Sequence, residues 1–199
     1  MRHRLAGFAA AVLLFAPRAD AHLVTTGLGP VYDGIGHLLL TPEDFVPIVA
    51  LALFAGLRGA RAGRLALFTL PIAWVLGGLL GLRPGSATPA PVPALSFLLL
   101  GVLVAADLRL PDAAVAALAG GLGLVHGYLN GPALAGGGPG ALGLLGIAAV
   151  SFVLVALASA LVVSLKAPWT RIAVRVAGSW IAAIGLLLLG WSLRTRGAA

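Results

Sequence analysis

The sequence predicts an all-α integral membrane protein, with six transmembrane helices after a cleavable N-terminal signal peptide. Three observations carry that expectation. Of 199 residues, 60% are hydrophobic and only 10% charged, whereas soluble domains carry about 25% charge and 45–50% apolar residues. The apolar stretches are continuous rather than alternating, which argues against a strand barrel, and several approach the roughly 20 residues a helix needs to cross a bilayer. Pro, Gly and Arg punctuate these stretches at the places where membrane helices end. The same composition excludes a disordered chain, which needs low hydrophobicity and high charge. Cysteine is absent, so disulfides, thiolate metal sites and cysteine nucleophiles are excluded as well.

Arg2, His3 and Arg4 form a basic start, residues 5–15 an unbroken apolar run, and Ala19-Asp20-Ala21 a small-x-small site. That order is the layout of a secretory signal peptide over residues 1–21. Cleavage after Ala21 leaves one polytopic domain, 22–199, with His22 at its N-terminus. An α-amine and an imidazole on one residue can chelate a transition metal. Segment one spans 42–57 and ends at Arg58-Gly59-Ala60-Arg61; segment two spans 65–82 and ends at Arg83-Pro84-Gly85. A Pro-rich loop leads to segment three, 94–106, which Asp107, Arg109 and Pro111 close. Segment four spans 112–129, followed by a Gly/Pro/Ala loop over 131–140. Segment five spans 141–165, closed by Lys166 and Pro168, and segment six spans 169–193, followed by Arg194 and Arg196.

The formal net charge is +7. No basic stripe is interleaved with aromatics, so the surplus encodes orientation in a lipid bilayer rather than nucleic-acid binding. With the mature N-terminus outside, Arg58, Arg61, Arg64, Arg109, Lys166, Arg171 and Arg175 fall on the cytoplasmic side. Arg83, Arg194 and Arg196 fall outside, as the positive-inside rule requires of a multi-pass protein of the cytoplasmic membrane. An uncleaved signal anchor gives the same orientation. Gly77/Gly81 and Gly123/Gly127 are small residues four apart, which let helix backbones approach closely. Trp169 and Trp191 sit where interfacial anchors would.

That topology gathers polar residues toward the outer face. Asp33, His37, Glu43 and Asp44 lie just outside or at the outer end of segment one, and His126 and Asn130 near the outer end of segment four. Ionisable groups at membrane depth are costly and mark pathways or sites. Imidazole with carboxylate suits a divalent first-row ion such as Ni²⁺, Co²⁺ or Zn²⁺, here as a substrate and not as a prosthetic group. Plainer roles also fit. Thr41-Pro42-Glu43-Asp44 is a helix start, with Thr41 as N-cap and acids complementing the dipole. Asp33 fits a turn beside Gly34, and His126 a polar residue bonded to a neighbouring helix. Ser151, Ser159 and Ser164 have no nucleophile-elbow context, and there is no Walker motif, so neither a hydrolase nor an ATP-driven pump is encoded.

Two stretches carry a resemblance. Gly34-Ile35-Gly36-His37-Leu38-Leu39-Leu40-Thr41-Pro42-Glu43-Asp44-Phe45 resembles the first-helix motif of HupE/UreJ membrane proteins, where a His precedes an Asp-His pair by six and seven positions. Gly123-Leu124-Val125-His126-Gly127-Tyr128 resembles their later His-Gly-Tyr/Phe motif. The resemblance implies a secondary permease without an ATPase domain, taking up nickel and sometimes cobalt for hydrogenase and urease. It places His37, Glu43 and His126 on metal-linked positions. Two departures stand out: the Asp-His pair is Glu43-Asp44 here, and a second His after the later motif is Asn130. Losing imidazoles shifts preference toward harder ions. The alternative is a non-transporting accessory or metal-binding protein linked to hydrogenase or urease maturation.

Overall fold

Helix follows helix along the whole of the described chain. A computed structural model describes residues 25–83, 91–135 and 138–196. The expected signal peptide and His22 lie outside the described residues. Among the described residues there are seven helices and no strand: α1 (Pro30–Leu40), α2 (Pro42–Arg58), α3 (Ala60–Gly81), α4 (Val92–Ala106), α5 (Asp112–Ala135), α6 (Gly140–Ser164) and α7 (Pro168–Arg196).

Four of them, α3, α5, α6 and α7, are long and apolar enough to cross a membrane. α1 and α2 qualify only together and are bent by 77° at Thr41, which gives up to five spans if the pair counts as one. α4 has 15 residues, about 22 Å of helix against a hydrocarbon core of about 30 Å. The six spans expected from the sequence therefore appear as four full-length helices, one broken pair and one short helix. The exposed surface bears large apolar residues on several helices, among them Phe68, Ile72, Leu99, Leu157, Trp180 and Leu187. Apolar surface on that scale is suited to lipid, not water.

Three expectations are corrected. Segment one is expected to begin near residue 42, but a separate helix, α1, precedes it, started by Pro30 at its first position, where a missing N–H costs nothing. Its buried face is Gly34, His37 and Leu38. Gly34 and Gly36 suggest a loop, yet Gly34 serves packing: a Cβ there would fall on the backbone of Gly143 in α6. Segment four was expected to end near Leu129, but α5 continues to Ala135 through Pro132. Thr41 occupies the N-cap position of α2, but its hydroxyl donates to the His37 carbonyl at 2.7 Å and caps no N–H of α2.

α2 lies at the centre and touches each of the other six helices. Its buried side chains, among them Ile48, Leu51 and Phe54, form the middle of the core. The most extensive pairing is α3 with α5, built on the small residues the sequence singled out. A Cβ on Gly77 or Gly81 would meet the backbone of Leu124 or Tyr128, and one on Gly123 or Gly127 that of Leu70 or Trp74. α4 pairs mainly with α7 and meets the rest of the bundle chiefly through α2.

The charged residues collect where α2 and α4 end and α5 and α7 begin. Asp107 caps α4 in the left-handed region (φ 52°), which a short polar side chain tolerates better than most. Its carboxylate accepts Arg171 Nε at 2.6 Å and Arg171 Nη2 at 2.9 Å, and is ion-paired with Arg58. Arg61 pairs with Asp112 at 3.2 Å, and Arg175 donates to the Ala105 carbonyl at 2.8 Å. Asp107 and Asp112 thus tie helix ends together.

Candidate metal site

At the opposite ends of α2, α4 and α5 the helices bring together polar groups far apart in sequence. Asp44 lies in the first turn of α2, Ser96 in the second turn of α4, and His126 and Asn130 in the last half of α5. His37 is in the last turn of α1, just before the bend. His37, Asp44, His126 and Asn130 are 8%, 5%, 1% and 8% exposed, so each must find its partner inside the protein.

The partners form one connected network. His126 Nδ1 is 2.8 Å from Asp44 Oδ1 and Nε2 is 2.9 Å from Ser96 Oγ. Asn130 Nδ2 donates to the His126 carbonyl at 2.8 Å, and Asn130 Oδ1 is 2.5 Å from His37 Nε2. For neutral rings, these contacts define where each proton sits. A carboxylate only accepts, so Asp44 places the His126 proton on Nδ1 and leaves the Nε2 lone pair free for another partner. Asn130 spends its NH₂ on a carbonyl, so its oxygen accepts from His37 Nε2–H, and the lone pair of His37 is on Nδ1. Orienting an imidazole by a carboxylate on its far nitrogen is a recurrent device at metal sites.

Packing holds His126 from behind. The Trp74 ring of α3 lies 5.7 Å away, centroid to centroid, at 39°. Trp74 Nε1 is buried without a hydrogen-bond partner among the described residues, a donor that a water or ligand oxygen would satisfy. On its other side His126, with Ser96, lines an open apolar groove of about 750 Å³ between α4 and α5.

The other candidates stand apart. Glu43 is exposed, whereas its neighbour Asp44 is buried. Successive residues on a helix point about 100° apart, so one residue of such a pair faces the core. Asp33 accepts Thr26 N at 2.6 Å and Thr26 Oγ1 at 2.7 Å, pinning the start of α1. No group of three or more His, Cys, Asp or Glu that could hold an ion occurs among the described residues, so an ion here would need further donors such as Ser or Asn oxygen, a backbone carbonyl or water. Ser96 was not picked out from the sequence. The signal was a hydroxyl in an otherwise apolar segment, and its significance depends on α4 lying across from His126. The order Ser96, His126, Asp44 has the look of a nucleophilic relay. Ser96, however, lies on a regular turn of α4 rather than on the sharp strand-to-helix elbow that exposes such a nucleophile. Ser151, Ser159 and Ser164 each donate to a carbonyl of their own helix.

Comparison with known families matches the chain to the family described as HupE / UreJ protein, over residues 10–188. No curated protein matches, and no solved structure does. The family is associated with nickel and cobalt transport or with maturation of the enzymes that use them, and is not known for enzymes. The match covers most of the sequence and includes both motif stretches around His37 and His126, within an all-helical, apolar bundle: the chain belongs to the HupE/UreJ family.

Proposed function

We propose that this chain is a secondary permease for a divalent transition-metal ion, nickel or cobalt first and zinc within reach of the same donors. The observation that carries the proposal is the buried network of Asp44, His126, Asn130 and His37, drawn from three helices beside a helix break. Burying these groups in a lipid-facing bundle is costly, and a cation-binding role accounts for that cost. Asp44 supplies negative charge to offset the ion, and the two imidazoles supply borderline nitrogen. A site with few strong ligands suits transport, because the ion must also leave. Discontinuous helices at a binding site are a recurrent feature of secondary transporters.

The proposed orientation places the mature N-terminus and the site toward the outside of the cytoplasmic membrane. The basic end, with Arg58, Arg61, Arg109, Lys166, Arg171 and Arg175, then faces the cytoplasm. A second reading, a membrane accessory protein that holds metal without moving it, is favoured by Asn130 standing where a His often does. The experiment is uptake of radiolabelled nickel or cobalt into cells that lack their own uptake system. Wild-type chain should raise uptake, and both His37→Ala and His126→Ala should return it to background. Undiminished uptake in both variants overturns the site, and metal binding at the cell surface without uptake supports the accessory reading.

A further inference from the structure

The free nitrogen of His126 does not face an empty space. Ser96 Oγ stands 2.9 Å from it, and 3.1 Å from the carbonyl of Val92 one turn back in α4. A hydroxyl has one hydrogen and two lone pairs. In a ring whose proton sits on Nδ1 beside Asp44, Nε2 competes for the one Ser96 hydrogen with the Val92 carbonyl, to which Ser96 Oγ donates at 3.1 Å. The side chain therefore has two settings that differ only in where one proton points.

We propose that Ser96 is a ligand of the transported ion. This rests on the metal-transport reading above. A divalent cation takes the lone pair of His126 Nε2, the Ser96 hydrogen turns to the Val92 carbonyl, and the freed lone pairs of Oγ face the same ion. The spacing fits. Two ligand bonds of about 2.1 Å at a right angle set their donor atoms about 3.0 Å apart, and Oγ and Nε2 already stand at 2.9 Å. Loading the ion turns the hydroxyl and tilts the two side chains so that the ion sits off the Nε2–Oγ line, at a donor separation that already suits a shared ion. Both donors border the groove lined by Val92, Leu95, Leu99 and Val125, whose volume leaves room for the waters that would complete the ion's coordination. The pair is a neutral nitrogen with a neutral, hard oxygen. It selects a borderline divalent ion such as Co²⁺ or Ni²⁺ over a soft monovalent ion, which prefers sulfur.

The test uses the purified full chain, titrated with Co²⁺ alone and followed by absorption and by equilibrium affinity. Ser96→Ala should weaken Co²⁺ binding at least about tenfold while leaving helix content and the unfolding midpoint unchanged. Ser96→Cys is the sharper probe. The chain has no cysteine of its own, so a thiolate-to-cobalt charge-transfer band in the near ultraviolet would come from position 96. Appearance of the band supports the assignment. If Ser96→Cys binds Co²⁺ without the band and Ser96→Ala keeps wild-type affinity, Ser96 is not a ligand, while the permease reading is untouched. Wild-type chain that binds neither Co²⁺ nor Ni²⁺ overturns that reading, and this inference with it.

Discussion

Gly121 and Gly127 lie less than two turns apart on α5, and the space around them could hardly differ more. A Cβ on Gly127 would fall on the Trp74 carbonyl of α3, whereas one on Gly121 would meet nothing within 4 Å. The first glycine belongs to the tight α3–α5 seam, the second to the wall of the α4–α5 groove. His126 lies between these two regimes, backed by Trp74 and fronted by Ser96. A binding side chain is thereby packed against one neighbouring helix and, though itself buried, separated from an open groove only by Ser96 of another. Rigid holders with yielding fronts are what a site that must both bind and release calls for.

The comparison can be broken from several directions. The largest expected effect is at the seam. Gly127→Leu should cost more than about 3 kcal/mol or abolish the folded protein, because backbone on both sides cannot give way; thermal unfolding in detergent measures it. Next is the network itself. Asp44→Asn keeps the shape and a hydrogen-bond acceptor but removes the charge, and should lower Co²⁺ affinity about 10–100-fold with the bundle still folded, as read by titration and circular dichroism. A smaller effect of opposite sign is expected in the groove, where Gly121→Ala should stabilise the chain by up to about 1 kcal/mol through helix propensity alone. A destabilisation there would mean that the groove is closed by a neighbour. The smallest belongs to Glu43→Gln, an exposed position, which should leave ion affinity unchanged and stability within about 0.5 kcal/mol. A large loss of affinity from that variant would move the site off Asp44.

Much of the architecture was legible because apolar runs and their Pro, Gly and Arg boundaries report on lipid directly. The Gly77/Gly81 and Gly123/Gly127 spacing marked faces that allow close approach, but that the two faces meet each other comes only from the fold. α1 was harder, because Asp33, Gly34 and Gly36 look like turn residues until the helix they pack on is known. His126 and Asn130 are four apart, so their shared helix face was readable once the helix was known to pass Leu129. The choice between Glu43 and Asp44 was not: both suit a first turn, and only the position of α2 in the bundle decides which one faces His126. Ser96 needed more still, since its role depends on two helices that meet from separate parts of the chain.

The bend at Thr41 has a consequence for how the two histidines relate. His37 rides on one short rod and Asp44 on another, and a single residue links the rods. A change in the torsions of that one joint swings the first imidazole relative to the carboxylate while neither rod unwinds. The spacing of the donors thus depends on a pivot four residues from one and three from the other, held in its present setting by the seat of α1 on α6 and by Asn130.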